Sequence, residues 1–228
     1  MSDVISLQKV NKFYGTVVPQ QVLFDVDLVI QPKSFNSIIG QSGSGKSTLL
    51  NLIGTLDKPS SGQVLINGKD TGKLSKNQLA TLRNQDIGFI FQFHYLLPEF
   101  SVMENILMPY KLKHGKITPE ILTKANELME TVGITTIKNK KATTISGGQA
   151  QRAAIARALI NNPKIILADE PTGNLDSAST ETVYNLLRSL NETYGTTFLV
   201  ITHNPNVAEK TDRIIELKDG RVHRDYLT

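Results

Sequence analysis

The nine residues GQSGSGKST, Gly40 to Thr48, constrain this chain more than any other stretch. They follow a short apolar run, FNSIIG (35–40). They open the segment KSTLLNLIG (46–54), in which Leu49, Leu50 and Ile53 share one helical face. Strand, glycine loop and helix in that order make up the context in which G-x-x-x-x-G-K-[ST] receives phosphate. The pattern is complete in Gly40, Gly45, Lys46 and Ser47. Glycines let backbone N–H groups curl around phosphate oxygens, and the helix start adds partial positive charge. Ser42, Gly43, Ser44 and Thr48 belong to the same cradle. Lys46 is expected to reach the outer phosphates. The Ser47 hydroxyl suits Mg²⁺, which prefers hard oxygens and keeps several waters. The alternative is a glycine-rich surface turn, which would need neither the lysine nor the following hydroxyl.

What surrounds the loop is an alternating chain of 228 residues, long enough for one sizeable domain. VLFDVDLVI (22–30) alternates as a half-buried antiparallel strand does. IGFIF (87–91), KIILADE (164–170) and TFLVITH (197–203) read as buried strands, and RIIELKDGRVHRDY (213–226) as a hairpin turning at Asp219-Gly220. Residues 93–161 carry no convincing strand, and PEILTKANELMETVG (119–133) reads as a helix. The expected fold class is α/β: a core from 1–92 and 162–228 with antiparallel strands at its margins, interrupted by a helical subdomain at 93–161. The net charge of +4 is spread among 21 acids, with no basic run dense enough to argue for nucleic acid. Cysteine is absent, which excludes disulfides and cysteine metal sites. No apolar run approaches the roughly 18–20 residues of a membrane helix, and the N-terminus lacks a secretory pattern.

IILADE supplies a second chemical feature. Its apolar residues bury a strand, and Asp169 then emerges at the C-terminal end, the edge where parallel sheets bind ligands. Asp169 is expected to hold Mg²⁺, directly or through water. Glu170, one residue on, is placed to polarise an attacking water as general base. Alone, an acid pair after an apolar run is commonly just solvated; beside the glycine loop it gains meaning.

ISGGQAQRAAIARAL (145–159) sets two glycines, Gly147 and Gly148, directly ahead of another helix. Ser146 there could be an ordinary cap. However, SGGQAQR between a phosphate loop and LADEPTGNLD resembles the nucleotide-binding subunit of ABC transporters. The resemblance covers roughly residues 4–222. It includes Gln92 after GFIF, Asp176 ending GNLD, and His203 after FLVIT. It implies a P-loop NTPase (RecA-like) fold binding ATP and Mg²⁺. It also implies two copies packed head to tail, so that Ser146, Gly147, Gly148 and Gln149 of one copy close over the γ-phosphate held by the other. By the same resemblance Gln92 senses the Mg²⁺ and γ-phosphate, His203 contacts that phosphate, and Asp176 organises the facing site. An aromatic near the N-terminus stacks on adenine. KFYG offers Phe13 and Tyr14, and the K-x-Y-G pattern points to Tyr14. Two positions depart from the family pattern: Ile145 stands where leucine is usual, and Asn204 where aspartate is usual. The second bears on the contact with the facing copy.

Three classes compete: a transport ATPase on separate membrane subunits, a soluble ABC ATPase, and another phosphate-loop protein such as a small-molecule kinase. The last does not explain 145–149. The second usually carries a coiled coil, a zinc insertion or tandem cassettes, which this chain lacks. Within transport ATPases, residues 83–109, 56–62 and 161–176 resemble the group serving lipoprotein release and macrolide export. The expectation is a peripheral subunit at the cytoplasmic face of the inner membrane, driving integral membrane permease subunits, with lipoprotein release ahead of macrolide or peptide efflux. FHYLLPEFSVM (93–103) gathers Phe93, Tyr95, Leu96, Leu97, Phe100 and Met103 beside Gln92. It reads either as a patch receiving those partners or as the helical subdomain's own core.

Overall fold

Strand burial sorts the chain into two sheets. The computed structural model describes residues 3–15 and 17–228. Ten strands run as β1 (Ile5–Tyr14), β2 (Gln20–Ile30), β3 (Phe35–Ile39), β4 (Ser61–Ile66), β5 (Lys69–Asp70), β6 (Ile87–Phe91), β7 (Ile165–Asp169), β8 (Thr197–Ile201), β9 (Arg213–Lys218) and β10 (Arg221–Leu227). The α-helices are α1 (Lys46–Ile53), α2 (Lys76–Asp86), α3 (Val102–His114), α4 (Pro119–Thr131), α5 (Gly147–Leu159), α6 (Ser177–Tyr194) and α7 (Pro205–Ala208). β1, β2, β4 and β5 form a four-stranded antiparallel sheet in the order β2-β1-β4-β5. The other sheet has six strands in the order β10-β9-β3-β8-β7-β6, parallel from β9 to β6, with β10 antiparallel at the edge.

The parallel strands are continuous apolar runs because both their faces are covered. Their side chains divide with a period of two. Ile165 and Leu167 of β7, with Leu199 and Ile201 of β8, face α1 and the antiparallel sheet. Ile166 and Ala168, with Phe198 and Val200, face α3, α4, α5 and α6. Helix α1 is thereby enclosed between two sheets, with Leu49, Leu50, Leu52 and Ile53 all buried. The helical segment has no core of its own. Ile106, Ile121, Leu128 and Ile155 join one hydrophobic cluster with Phe35 and Ile90 of the sheet.

Helix α5 is the piece that must be placed accurately, because its first turn carries Ser146 to Gln149. Four of its five alanines (Ala153, Ala154, Ala156 and Ala158) are buried, so the helix lies close to its neighbours. It meets β6 at Gly88, where a Cβ would stand 2.5 Å from the Ala158 carbonyl oxygen. At the same end, Lys124 of α4 donates to the Ile160 carbonyl at 2.6 Å and to Asn162 Oδ1 at 2.5 Å.

Helices α2 and α3 were not expected from the sequence. Helix α2 is nearly all polar, with only Leu79 and Leu82 buried. Helix α3 contains Pro109, which removes an internal hydrogen bond and hides the helical pattern. Among the described residues no helix is long and apolar enough to cross a membrane.

The contact at Gly88 yields a stability test. Gly88→Ala forces α5 and β6 apart and is expected to cost roughly 1–3 kcal/mol, as overpacking does. Urea unfolding of the wild type and the variant measures it; an unchanged midpoint would show that the helix tolerates a wider separation.

Candidate nucleotide site

The glycine loop leaves β3 and ends at α1. At Gly45 the backbone takes φ 100°, where a side chain would also press on Leu23 at 2.8 Å. No side chain caps the start of α1, whereas α2, α3, α4, α5 and α6 each have a capping oxygen. The first N–H groups of α1 therefore face the loop without a side-chain acceptor, as an anion site requires.

A cavity of about 700 Å³ opens there, lined by Gly40, Ser42, Gly43, Gly45, Lys46, Ser47 and Thr48, and also by Glu170 and His203. Its volume is that of a nucleotide-sized pocket. Ser44 is buried beneath the loop. The Lys46 ammonium donates to the carbonyls of Gly40 and Gln41, both at 2.8 Å. Burial lowers its pKa, opposed by Glu170 and Asp169. Asp169 ends β7 beside the Ser47 hydroxyl. Burial and the neighbouring Glu170 raise its carboxyl above the ordinary range, while Ser47 and Lys46 pull it back.

Glu170 leaves the strand at φ 46°, a left-handed conformation uncommon for this residue, which aims its side chain out of the sheet. His203 Nδ1 lies 3.1 Å from Glu170 Oε2, so the imidazole stands directly beside the carboxylate. The pair also borders a second cavity of about 460 Å³ that runs between α6 and the segment after β8. Gln92, just past β6, is tied elsewhere. Its Nε2 donates to Asn174 Oδ1 at 3.1 Å, while Asn174 Nδ2 donates back to the Gln92 carbonyl at 3.2 Å.

Two expected groups stand apart. Ser146 to Gln149 do not line the cavity around Lys46. Ser146 Oγ accepts from the Gln149 N–H at 3.3 Å, and Gln149 Oε1 accepts from the Ser146 N–H at 3.0 Å, a reciprocal cap. The Ser146 hydroxyl proton is left to donate outward. The glycines beside it face open space: a Cβ at Gly147 or Gly148 would meet nothing within 4 Å. Asp176 caps α6, accepting from the Ser179 N–H at 3.0 Å. Asn204 likewise caps α7 by accepting from the Asn206 N–H at 3.1 Å. An aspartate oxygen would accept there in the same way, so this departure leaves the local turn intact. Ile145 packs against the core as the usual leucine would.

Phe13 and Tyr14 are about equally exposed. The Phe13 N–H donates to Ser60 Oγ, whereas the Tyr14 side chain is bound to Asp57 and faces Thr48. Gln20 and Val22 of β2 also line the cavity. Sequence reasoning missed both, because they reach it only through pairing between distant strands. Of the bulky patch, Phe93 (66% exposed), Tyr95 (62%) and Leu97 (41%) stand outward, while Leu96 and Met103 pack on the core.

Comparison with known proteins agrees with this geometry. The ABC transporter family pattern matches residues 23–173. The lipoprotein-releasing system ATP-binding protein LolD 1 of Rhodopseudomonas palustris is 48% identical over 224 residues, spanning 97% of this chain and 99% of that protein. LolD of Shewanella oneidensis is 50% identical over 222 residues, 96% of each. Among solved structures, the dimeric post-hydrolysis state of the ATP-binding cassette MJ0796 bound to ADP and Pi superposes with a TM-score of 0.90 at 44% identity, covering 98% of both chains. The Clostridium perfringens cbiO1 protein, part of the ABC transporter complex cbiONQ, gives 0.88 at 27% identity, covering 99% of this chain and 88% of its own. A glycine loop, an acid pair and a histidine around one cavity, together with likeness of this extent, place the chain: it belongs to the ABC transporter family and is an ATPase of the ATP-binding-cassette type.

Proposed function

We propose that the chain is the ATP-hydrolysing subunit of a lipoprotein-releasing system, working as a pair of copies on integral membrane subunits at the cytoplasmic face of the inner membrane. Near-full-length likeness to the LolD proteins supports the lipoprotein assignment. One observation carries the paired mechanism. Lys46, Ser47, Glu170 and His203 share a cavity, while the outward-facing Ser146 and its glycines do not border it. A second copy, as in the dimeric cassette MJ0796, supplies the missing wall.

The site's residues fit Mg²⁺. A hydroxyl and a carboxyl, Ser47 and Asp169, lie side by side, and the carboxyl is starved of solvation. Among the described residues no cluster of three His, Cys, Asp or Glu exists to cage a metal, so an ion held by Ser47 and Asp169 would draw its remaining oxygens from water and phosphate. When bound, the ion neutralises phosphate charge. Lys46 turns from the loop carbonyls to the phosphates. The α1 N–H groups hold them in line. Glu170 accepts a proton from the attacking water, and His203, beside that carboxylate on the cavity wall, contacts the terminal phosphate. The partner's copy of the Ser146 turn donates to the terminal phosphate. Charge-assisted hydrogen bonds contribute about 1.5–3 kcal/mol each, so a few at each of two sites favour the closed pair until hydrolysis removes them.

The membrane partners are expected at a groove of about 460 Å³ whose wall includes Phe89, Phe91, Tyr95, Pro109 and Arg157. Phe93, Tyr95 and Leu97 project beside it. The Arg157 guanidinium donates to the carbonyls of Tyr95 at 2.7 Å and His94 at 2.5 Å, so the patch is anchored to α5.

Four outcomes are expected on this reading. Lys46→Ala lowers ATP turnover of the purified assembly by at least roughly a hundredfold, the scale of losing one preorganised charge donor; unchanged turnover would remove the phosphate role. Glu170→Gln binds ATP, slows hydrolysis by roughly 10²–10⁴-fold and runs as a dimer on sizing columns with ATP and Mg²⁺; a monomer there counts against both base and pair. Phe93→Glu leaves ATP binding intact and abolishes co-purification with the membrane subunits, a better probe than the half-buried Leu96. Reconstituting the co-purified assembly in lipoprotein-loaded proteoliposomes tests the cargo: ATP-dependent release is expected, and its absence with macrolide export present would reassign the system.

A further inference from the structure

Three side chains outside the phosphate loop, Lys12, Tyr14 and Asp57, form one connected group that meets the loop at Thr48. Lys12, on β1, is only 8% exposed. Its ammonium donates to Asp57 Oδ1 at 2.7 Å and to the Lys58 carbonyl at 2.8 Å. The Tyr14 hydroxyl donates to the other oxygen, Asp57 Oδ2, at 2.9 Å. The same Lys12 ammonium stands 4.7 Å above the centroid of the Tyr14 ring. The backbone N–H of Lys58 donates to Asp57 Oδ1 at 2.7 Å. Thr48, in the first turn of α1, faces the Tyr14 phenol and favours its ionised form, the sense in which a donating hydroxyl acts.

These contacts lock a ring before any ligand arrives. Burial and the Asp57 bond keep the Tyr14 phenol protonated, so it remains a donor. Burial alone would raise the Asp57 carboxyl, but the bonds from Lys12, the Lys58 N–H and Tyr14 hold it below the ordinary carboxylate range. It stays an anion with both oxygens engaged. Lys12 occupies one face of the ring, and Tyr14 is still 42% exposed. Tyr14 pairs with Gln20 across the sheet, and Gln20 and Thr48 both line the cavity. The ring therefore stands next to two residues of the cavity wall. An ammonium behind an aromatic ring draws electron density toward itself, which makes the opposite face a better stacking partner for an electron-rich purine.

We propose that Lys12 and Asp57 are positioning residues for the nucleotide base: they fix the Tyr14 ring in register with the phosphate loop and polarise it for stacking on adenine. This rests on the reading of Tyr14 as the adenine seat and adds two residues to it that no local motif signals. The ring's rotamer freedom is given up during folding and not on binding, so the stacking contact retains more of its free energy.

The test separates base from phosphate. Equilibrium binding of ATP, ADP and inorganic tripolyphosphate, all with Mg²⁺, is measured on the full chain and on Asp57→Asn, Lys12→Met, Tyr14→Phe, Tyr14→Ala and Tyr14→Ala/Asp57→Asn. Asp57→Asn and Lys12→Met should weaken ATP and ADP by the same factor, roughly 3- to 30-fold, the range of a partly desolvated cation–aromatic contact. Tripolyphosphate affinity should not move, which also reports that the variants are folded. Tyr14→Phe keeps the ring and should fall between wild type and Tyr14→Ala. Asp57→Asn should add nothing in the Tyr14→Ala background. Equal loss of tripolyphosphate affinity would make the group a general staple of the loop after α1 and overturn the proposal. Full ATP affinity in Asp57→Asn and Lys12→Met, with loss in Tyr14→Ala, would overturn it while sparing the adenine seat. Full ATP affinity in Tyr14→Ala would remove the seat itself and the proposal with it.

Discussion

The amide groups at the start of α1 control the rest of the molecule. A helix leaves its first four N–H groups without internal partners, and α1 is the long-buried helix whose start has no capping side chain. Its body cannot retreat, because two sheets enclose it. Leaving a buried donor unpaired costs about 1–3 kcal/mol. Polyphosphate satisfies several such donors at once and meets the helix dipole with the favourable sign. The buried parallel strands, the Gly45 turn and the apolar face of α1 all serve to hold that uncapped start at the sheet edge.

Charge explains why the phosphates need company. Around the loop stand the Lys46 ammonium and two acids, Asp169 and Glu170, and Glu170 is near enough to act on both Lys46 and Asp169. Lys46 alone cannot offset several phosphate charges and two acids. A divalent ion held by Ser47 and Asp169 would offset both, and would oppose the rise that burial gives the Asp169 carboxyl. Glu170 leaves the strand with a left-handed backbone and stands beside His203 instead. Neighbouring residues on one chain thus face different partners because the strand ends between them.

Motifs with local geometry were legible in the sequence; contacts between distant segments were not. The glycine loop, β7 with its terminal acids, and the α5 cap could be read because each is a short run whose chemistry depends on its own order. Helices α2 and α3 escaped, yet both begin with a reciprocal cap, Ser75 with Gln78 and Ser101 with Glu104, the same device as Ser146 with Gln149. That serine-to-glutamine or serine-to-glutamate spacing was the available signal. The division of the bulky patch into an outward and an inward half depends on how the segment before α3 lies against α5 and the core, and no window around residues 93–103 contains that information. The tie from Lys12 to Asp57 spans 45 residues and exists because strand pairing brings them together.

The same kind of long-range contact gives the patch its mechanical meaning. His94 and Tyr95 both take positive φ, 56° and 47°, a strained conformation for side-chain-bearing residues that costs of order 1–2 kcal/mol each. Two adjacent strained residues persist only where neighbours over-determine them, and the largely buried Arg157 guanidinium does so by donating to both of their carbonyls. Arg157 sits on α5, the helix that begins at Ser146. Close packing at Gly88 and the alanine face leave α5 little room to absorb a displacement internally. The backbone at His94 and Tyr95 is thus tied directly to the helix whose first turn carries Ser146 and two open glycines.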